Sequence, residues 1–570
     1  MGVAKAVYQS GGQLIQTVRP GGYSIIVSVQ GSAGLSAAKN VVIMGQCMGG
    51  QPDTLLQFSN AAQAISTLKS GALMDAVRLA FNPGNNVTPA LISAVRVNSA
   101  TQSSLTLNNG SAQAMITIQS ADYGLLTQQI NLVIAAGTTQ GQKLTVNYQT
   151  SQEVFDNIYR GSLTITHATA TVAVTINNTT QQIVLSVAPG GTIDLNNYPT
   201  IGSLAAYINS LTGYTATVSA GQTNASSLQL DSITATAATA GLLLTSNMYA
   251  MISTINSQSQ LITATAANAA NNTSAVANIT TTFLTGGTEG TYTGTDWTNA
   301  LSFLAGKTVQ IIATPDATQS VQLAIAAHCT AMSAPTGKKE RQFIVGGAWG
   351  DSSTTALSNA LAINSQYGMY VFNGGTQYDI YSNLQNYGAS YAACMLAGMD
   401  SALAINMPLT FKTLNFISLE ATIQDPLISN LISGGVAPID YNESGVARLE
   451  RQITTYQTDD LKWNEFSSAT EMLYVDYDLR SYLQNLYTGQ PGIFTPGAIQ
   501  GVVETRLQLY VDLGLFVKDT AGNTFWNVSI TILADQIIVD YDANICMPIN
   551  FQFITNRFHT AVSTTQQQAA

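Results

Sequence analysis

The chain has 570 residues, which is too many for one hydrophobic core, so three or four domains are expected. Only 9% of the residues are charged, against about 25% in an average globular protein, and a free enzyme usually keeps a charged surface of mixed sign to stay monomeric. This composition favours surfaces buried against other subunits, although a secreted or β-rich surface protein is compatible with it too. The net charge is −11 and the longest basic run is Lys338-Lys339 with Arg341, so a nucleic-acid-binding face is not expected.

The cysteines and the hydropathy indicate the cellular compartment in which the protein is made. Cys47, Cys329, Cys394 and Cys546 are far apart and form no CxxC pair, so we interpret them as buried reduced thiols of a cytoplasmic product. No apolar run approaches the roughly 20 residues of a membrane span, and the N-terminus lacks the layout of a signal peptide. We therefore expect no membrane insertion, and we expect synthesis and assembly in the cytoplasm.

The first thirty residues predict an arm. Two short β-prone pieces flank Gly11-Gly12, and the element RPGGY (19–23) leads into a predicted strand over 24–29. Glycine pairs permit hinges and proline fixes a bend, so the segment before Val18 is predicted to be extended.

Residues 40–97 predict an α/β unit. The apolar run NVVIMG (40–45) predicts a buried strand, and helices are expected over 60–68, with Asn60 as its cap, and over 72–81. A strand over 90–97 follows. From 98 to 282 the texture changes to alternating apolar and polar residues with turn residues between them, which predicts one or two all-β insertions with one short helix at 201–211.

From residue 283 strands and helices alternate again. Strands are predicted at 308–313, 342–345 and 368–373, with helices at 296–304, through Cys329, and at 355–363, and such alternation implies a mostly parallel sheet covered by helices. A helix of small residues begins near Gly388 and is expected to stop at Gly398, and a β-prone run follows at 414–419. A loop region bounded by proline and glycine is predicted next, then two helices, the second opening at Thr495-Pro496, and strands at 526–533, 536–541 and 549–555.

Several of these stretches resemble the tail sheath proteins of contractile bacteriophages. The resemblance rests on the RPGGY element, the strand AVRV (94–97), the turn TGGTEG (285–290), the helix AACMLAGMD (392–400) and the segment LTFKTLNF that follows it (409–416). It implies an α/β and α+β multidomain fold, in which an α/β sheath core carries a C-terminal α+β domain, extended terminal arms and an inserted all-β domain. The expected division is an N-terminal arm and first strand (1–30), a first core part (31–97), β-rich outer domains (98–282), a second core part (283–384), a C-terminal sheath domain (385–548) and a C-terminal strand and arm (549–570).

No pattern in the chain predicts an active site. His328 adjoins Cys329 without a second ligand at metal-binding spacing, so we interpret it as a buried histidine. The glycine-rich stretches at 285–290 and 346–350 lack the phosphate-loop pattern and are interpreted as turns. Asp476 and Asp478 point to different faces of a helix, which does not suit an acid/base pair. We predict no catalytic, metal-binding or cofactor-binding residue.

Function must then lie in assembly. An arm at one end and a lone alternating strand at the other present unpaired backbone groups that another chain can complete. The resemblance implies that such arms join a neighbour's β-sheet in a helical homo-oligomer around the tail tube protein, in contact with baseplate and tail terminator proteins, and that the sleeve contracts during genome delivery. The alternatives are another shell protein of a virion or contractile injection system, such as a tube or surface protein, and a secreted β-rich adhesin. The residues predicted to join sheets between subunits are Val3, Val7, Leu14, Ile15, Val18, Ile549, Phe551 and Phe553.

Overall fold

The computed structural model describes residues 6–10, 13–17, 39–168, 172–238 and 240–558. Within them the chain is a mixed α/β protein with many separate sheets. The elements up to residue 97 are β1 (Ala6–Ser10), β2 (Gln13–Thr17), β3 (Val41–Gly45), β4 (Leu56–Phe58), α1 (Ala61–Leu68), α2 (Ala72–Ala80) and β5 (Ile92–Arg96).

Residues 98–283 are mostly strands. The elements here are β6 (Ser104–Asn108), β7 (Ala114–Ser120), β8 (Asn131–Ala136), β9 (Gln142–Tyr148), β10 (Ser151–Ile158), β11 (Gly161–His167), β12 (Ala173–Asn177), β13 (Gln182–Leu185), β14 (Gly191–Asp194), α3 (Ile201–Asn209), β15 (Tyr214–Val218), β16 (Ile233–Ala237), β17 (Leu242–Thr245), α4 (Asn247–Gln258), β18 (Ile262–Ala266) and β19 (Ile279–Phe283).

Helices and strands alternate again beyond residue 290. The elements to residue 449 are α5 (Gly294–Ala305), β20 (Ile311–Ala313), α6 (Gln319–Ser333), β21 (Gln342–Gly346), α7 (Ser353–Ile363), β22 (Gly368–Phe372), β23 (Gly375–Tyr378), β24 (Leu384–Tyr387), α8 (Ala389–Ala402), β25 (Ser418–Leu419), α9 (Asp425–Ser433), β26 (Val436–Tyr441) and β27 (Ala447–Leu449). The last part contains α10 (Leu461–Asn464), α11 (Phe466–Tyr487), α12 (Pro496–Asp512), β28 (Phe525–Leu533) and β29 (Gln536–Ala543).

An eight-stranded sheet, in the order β27-β26-β22-β21-β20-β3-β5-β4, forms the centre of the protein. Its strands from β26 to β5 run parallel, and the edge strands β4 and β27 are antiparallel to their neighbours. One face is covered by α1, α2 and α8, and the other by α5, α6, α7 and α9. The parallel α/β sheet predicted from alternating elements is therefore confirmed.

The stretch between β5 and α5 does not contribute to that sheet. It contains two hydrophobic cores, one from residues 107–158 with 248–284 and one from residues 163–244, so the second core is nested inside the first. The prediction of a short helix near 201 is confirmed by α3, whose N-cap Thr200 accepts from Ser203 in a capping box. The prediction that the stretch is otherwise all-β is wrong, because α4 also lies there, with Met248, Met251 and Ile255 buried against the β-strands.

The helix of small residues, α8, is deeply buried. In α8 every residue from Ala392 to Asp400 is buried. The predicted stop at Gly398 is wrong, because the helix continues to Ala402. Gly398 is needed for a close approach instead: a Cβ there would lie 2.3 Å from the carbonyl oxygen of Ala80 in α2.

Two further sequence predictions fail around this helix. Of the β-prone run at 414–419 only Ser418–Leu419 pairs in a sheet. The predicted loop beyond it holds α9, with Pro426 in its first turn, and β26, in which Pro438 lies opposite Phe372. Proline signals a break in sequence, but here it is placed at a helix start and in a strand.

Candidate assembly surfaces

The N-terminal segment folds back on itself where the structure describes it. Val7 lies in β1, and Leu14 and Ile15 lie in β2. The two strands pair antiparallel across Gly11-Gly12, with Val7 opposite Gln16, which confirms the two β-prone pieces but replaces the predicted extended conformation by a hairpin. Val3, Val18 and the strand predicted at 24–29 lie outside the described residues.

The C-terminal segment is exposed and apolar. Residues 549–558 contain no helix or strand, so the strand predicted at 549–555 is wrong for the isolated subunit. Ile549, Phe551 and Phe553 are 85%, 66% and 95% exposed, and Ile554 and Phe558 are 78% and 91% exposed. Its exposed backbone groups are open to pairing with a strand of another chain, and within the described residues no strand pairs with this segment.

Two residues near the start of this segment, Asn550 and Phe551, which we call its root, contact the start of α11 and the loop before it. The Asn550 amide donates to a carboxylate oxygen of Glu465 at 2.9 Å, and the guanidinium of Arg451 also donates to Glu465. The same guanidinium lies 5.5 Å from the centre of the Phe551 ring. The segment is therefore fixed as far as Asn550 and Phe551 and projects beyond them.

A buried acid lies beneath this root. Glu471 is 1% exposed, and one of its carboxylate oxygens has no hydrogen-bond partner among the described residues. Burial raises the pKa of Glu471 to about 8, although the Cys546 backbone and the charge of Lys39 act in the opposite direction. Since Cys546 lies just before the exposed segment, the protonation of Glu471 bears on how firmly the root is held.

We expect the stability of the protein to fall as pH rises from about 4.5 to 8. The folded state keeps the Glu471 proton through this window while the unfolded state releases it, so the free energy of unfolding drops by up to about 1.4 kcal/mol per pH unit for this one group. Below the unfolded pKa the contribution is fully present, and above the folded pKa it is lost. Thermal unfolding of the wild type and of Glu471→Gln across this range measures it. The variant should show a flatter profile, and parallel profiles for the two proteins would contradict the assignment.

The C-terminal hairpin β28–β29 presents open sheet edges. Among the residues that the structure describes, the two strands pair only with each other, with Ser529 opposite Asp540. Its inner face, including Ile530 and Val539, packs with α11 and α12 in a core around Leu507 and Tyr510. A cavity of about 520 Å³ lies between β29 and α11, lined by Tyr541, Ala543, Met472 and Val475 among others. The sequence predicted both strands, but their free edges became visible only from the sheet topology.

Two of the stretches that carry the family resemblance meet in space. Arg96 of β5 is fully buried, and its guanidinium lies 2.5 Å from a carboxylate oxygen of Glu289 in the TGGTEG turn. Asn98 donates to the backbone carbonyl of the same Glu289 at 2.9 Å. These bonds close the insertion, since they join its two ends, 193 residues apart, at the edge of the central sheet.

A second buried ion pair joins the chain before β3 to the end of α8. Lys39 Nζ lies 2.8 Å from Asp400 Oδ1, with both side chains 4% exposed, and it also donates to the carbonyl oxygen of Ala404 at 3.0 Å. Asp400 ends the AACMLAGMD stretch. The sequence marked Asp400 by its motif and missed Lys39, which no local pattern connects to it.

The described residues hold no group of three or more side chains suited to a metal ion, and no helix among them is long and apolar enough to cross a membrane. His328 is half-buried, with its ring nitrogen 2.5 Å from the Arg341 guanidinium. Burial, together with the charge of Arg341, lowers the pKa of His328 to about 4. Burial likewise raises the pKa of the Cys47 and Cys329 thiols to about 12, so both stay protonated.

The comparisons with known proteins converge on one family. Residues 290–455 match the model of the phage tail sheath protein central domain. This segment is similar to the central domain of phage tail sheath proteins. It comprises α5 to β27 and so contributes most of the central sheet.

The sheath likeness extends along most of the chain. The tail sheath protein of Bacillus phage SP01 is 24% identical over 96% of this chain and 97% of its own length. The tail sheath protein of Staphylococcus phage Twort is 24% identical over 84% and 86%. The resemblance noted in the sequence is confirmed.

Solved sheath structures share the fold. The sheath tail protein from Desulfitobacterium hafniense superposes with a TM-score of 0.54, at 11% identity, over 92% of this chain and all of its own. The protein from Listeria innocua gives a TM-score of 0.56, at 10% identity, over 89% of this chain and 92% of its own. The mixed α/β multidomain fold is thus that of sheath proteins.

Proposed function

We propose that this chain is the structural subunit of a contractile bacteriophage tail sheath. It polymerises into a helical sleeve around the tail tube and contracts to drive the tube through the host envelope during genome delivery. The observation that carries the proposal is the sheath central domain at 290–455 within a chain that resembles phage sheath proteins over nearly its whole length. The relatives are structural proteins of phage tails, and we propose no catalytic role, cofactor or metal for this one.

The terminal segments connect the subunits in this proposal. Residues 549–558 are apolar, exposed and without a partner strand in the described chain, and β28–β29 has unpaired outer edges. Strand pairing with a neighbouring subunit would give hydrogen-bond partners to the backbone groups of the terminal segment and of the hairpin edges. Val3, Val7, Leu14, Ile15 and Val18 at the other end, with Ile549, Phe551 and Phe553, are the side chains assigned to these contacts.

The remaining domains take different positions in the sleeve. We assign residues 1–97 with 283–570 to the wall that faces the tube protein, and residues 98–282 to the exterior. The second assignment is supported by charge, because 98–282 contains only two basic residues, Lys143 and Arg160, and is rich in Thr, Asn and Ser, which solvate well. Assembly takes place in the host cytoplasm, with baseplate and tail terminator proteins as further partners, and without nucleic acid or membrane insertion.

Negative-stain electron microscopy of the purified full chain tests the proposal. Over a range of protein and salt concentrations, we expect long hollow striated tubes, in the contracted lattice that is the low-energy state. If only monomers or small rings form, purified tail tubes are added as a template. A chain that polymerises neither alone nor on tail tubes would contradict the sheath assignment.

A further inference from the structure

A basic surface lies where α5 ends and β21 begins, at the amino-terminal end of this inner strand of the central sheet. Lys307, Lys338 and Lys339 surround a cavity of about 130 Å³, together with Glu340 and Tyr477. Lys338 is exposed, and Lys307 lies over the Phe303 ring at 4.6 Å. This surface is unusual in a chain with a net charge of −11.

Part of this charge has a structural role. Lys339 Nζ donates to the carbonyl oxygen of Ala305 at 2.6 Å, and the Arg341 guanidinium donates to those of Leu304 and Lys307 at 2.9 and 2.6 Å. Both cations thereby cap the C-terminal end of α5, where the helix dipole is negative. The side chains of Lys307 and Lys338 take no part in this capping.

The surface keeps an excess of positive charge. Arg480 of α11 joins it and is neutralised by Glu340 and, at 3.3 Å, by Asp476. None of Lys307, Lys338, Lys339 and Arg341 forms an ion pair with any carboxylate of the described residues. Arg341 is fully buried and adds nothing to the exposed charge. Lys307, Lys338, Lys339 and Arg480 against Glu340 and Asp476 leave about two unpaired positive charges, whereas other buried cations of the described residues are matched, as in the pairs Lys39–Asp400 and Arg506–Asp478.

The opposite charge accumulates on the C-terminal hairpin. Residues 525–543 contain Asp535, Asp540 and Asp542 and neither lysine nor arginine. All three are exposed, Asp535 at the turn and the other two on the outward face of β29, two residues apart. Like charges on one face of a strand repel each other, so a cationic partner would relieve a cost that the isolated subunit retains.

A helical polymer needs two different, complementary surfaces on each subunit. Its contacts are heterologous, so one patch of a subunit meets a different patch of the next, whereas a two-fold contact would bring identical patches together. The hairpin of another copy offers the basic patch an acidic surface of this kind. Charge complementarity also fixes the register of two surfaces that otherwise carry few charges.

We propose that the basic surface around Lys307 and Lys338 docks the acidic outward face of the β28–β29 hairpin of a second copy of this chain. This proposal rests on the proposed sheath function and specifies one of its subunit contacts. It leaves the strand edges of the hairpin available, because Asp540 and Asp542 project from the face of the sheet and not along its edge.

A charge-swap experiment on the full chain tests this contact. Lys307→Glu/Lys338→Glu should raise the critical concentration for polymerisation at least about tenfold at 50 mM salt, and Asp540→Lys/Asp542→Lys should do the same, with both effects shrinking at 500 mM salt as charges are screened. A chain with all four changes, or an equal mixture of the two double variants, should polymerise as the wild type does. The readout is sedimentation with electron microscopy of the pellet, and circular dichroism checks that each variant is folded.

The control has the same change of net charge elsewhere. Lys69→Glu/Lys143→Glu should leave the critical concentration within about twofold of the wild type, because it spares both surfaces. Normal polymerisation of Lys307→Glu/Lys338→Glu would overturn the proposal, and so would a four-fold variant that stays monomeric while each double variant is folded. If that basic-surface variant polymerises normally but no longer coats purified tail tubes, the surface docks the tube and the proposal is also overturned. Absence of polymer from the wild type under every condition would instead count against the sheath function itself.

Discussion

A chain that lacks residues 549–570 is expected to remain a folded monomer and to form no tubes. The deletion removes Ile549, Phe551, Phe553, Ile554 and Phe558, which are 66–95% exposed and thus contribute little to the fold of the subunit. A strand donated to a neighbour would form about five hydrogen bonds at roughly 0.5–1.5 kcal/mol each, while association costs about 4–15 kcal/mol. Losing one arm should therefore raise the critical concentration for polymerisation by at least about a hundredfold.

The deletion has a matched point variant. Phe553→Asp places a charge on the most exposed side chain of the segment and should impair polymerisation without lowering the melting temperature. Tyr381→Asp, at a side chain that is 78% exposed outside the terminal segments, serves as the control and should polymerise normally. Tubes from the truncated chain would contradict the role of this segment, and deletion of residues 1–17 tests the other end in the same way.

Lys39→Ala is expected to destabilise the subunit by about 3–5 kcal/mol, because it leaves the Asp400 carboxylate charged and buried without its cation. Lys39 and Asp400 are both 4% exposed, and the second carboxylate oxygen of Asp400 has no hydrogen-bond partner among the described residues. The midpoint of chemical unfolding, followed by fluorescence, measures the effect. The pair joins the start of the central sheet to the most buried helix, so the loss should reach the core and not only one end of the chain.

The double variant Lys39→Met/Asp400→Leu distinguishes the cost of an unpaired buried charge from the loss of the ion pair itself. Replacing both partners by apolar side chains of similar size is often neutral, so the double variant should be far more stable than Lys39→Ala. Lys69→Ala, a half-buried lysine without an ion pair among the described residues, is the control and should change stability by less than about 0.5 kcal/mol. Equal losses for Lys39→Ala and Lys69→Ala would contradict the importance of the buried pair.

Local signals predicted local structure well. The cap at Asn60 and the Thr495-Pro496 start lie where the sequence placed them, and the Asn60 and Thr495 side chains accept backbone hydrogen bonds from Gln63 and Ala498. These signals succeed because a cap involves residues three apart. The break expected at Gly398 and the loop expected around Pro438 fail for the complementary reason: packing against α2 and pairing with β22 override the local preference.

The sequence predicted only part of the candidate assembly surfaces. The alternation of Ile549, Phe551 and Phe553 with polar residues indicates a segment able to pair in a sheet, but whether its partner lies in the same chain depends on topology. In the described residues that partner is absent, and the free edges of β28–β29 appear at the same time. The basic surface shows the same limit, since Lys307 and Lys338 come together with Arg480 only in the fold.

By itself the sequence determined the order of the elements, the interruption of an α/β core by a long β-rich stretch, the poverty in charge that favours subunit contacts, and the likeness to tail sheath proteins. These properties follow from composition, short-range periodicity and motifs. Only the tertiary structure decided that Lys39 meets Asp400 across 361 residues, that Arg96 meets Glu289 across 193, and that residues 549–558 have no partner strand among the described residues. Burial and strand pairing depend on which distant segments share a core, and that information is distributed over the whole chain.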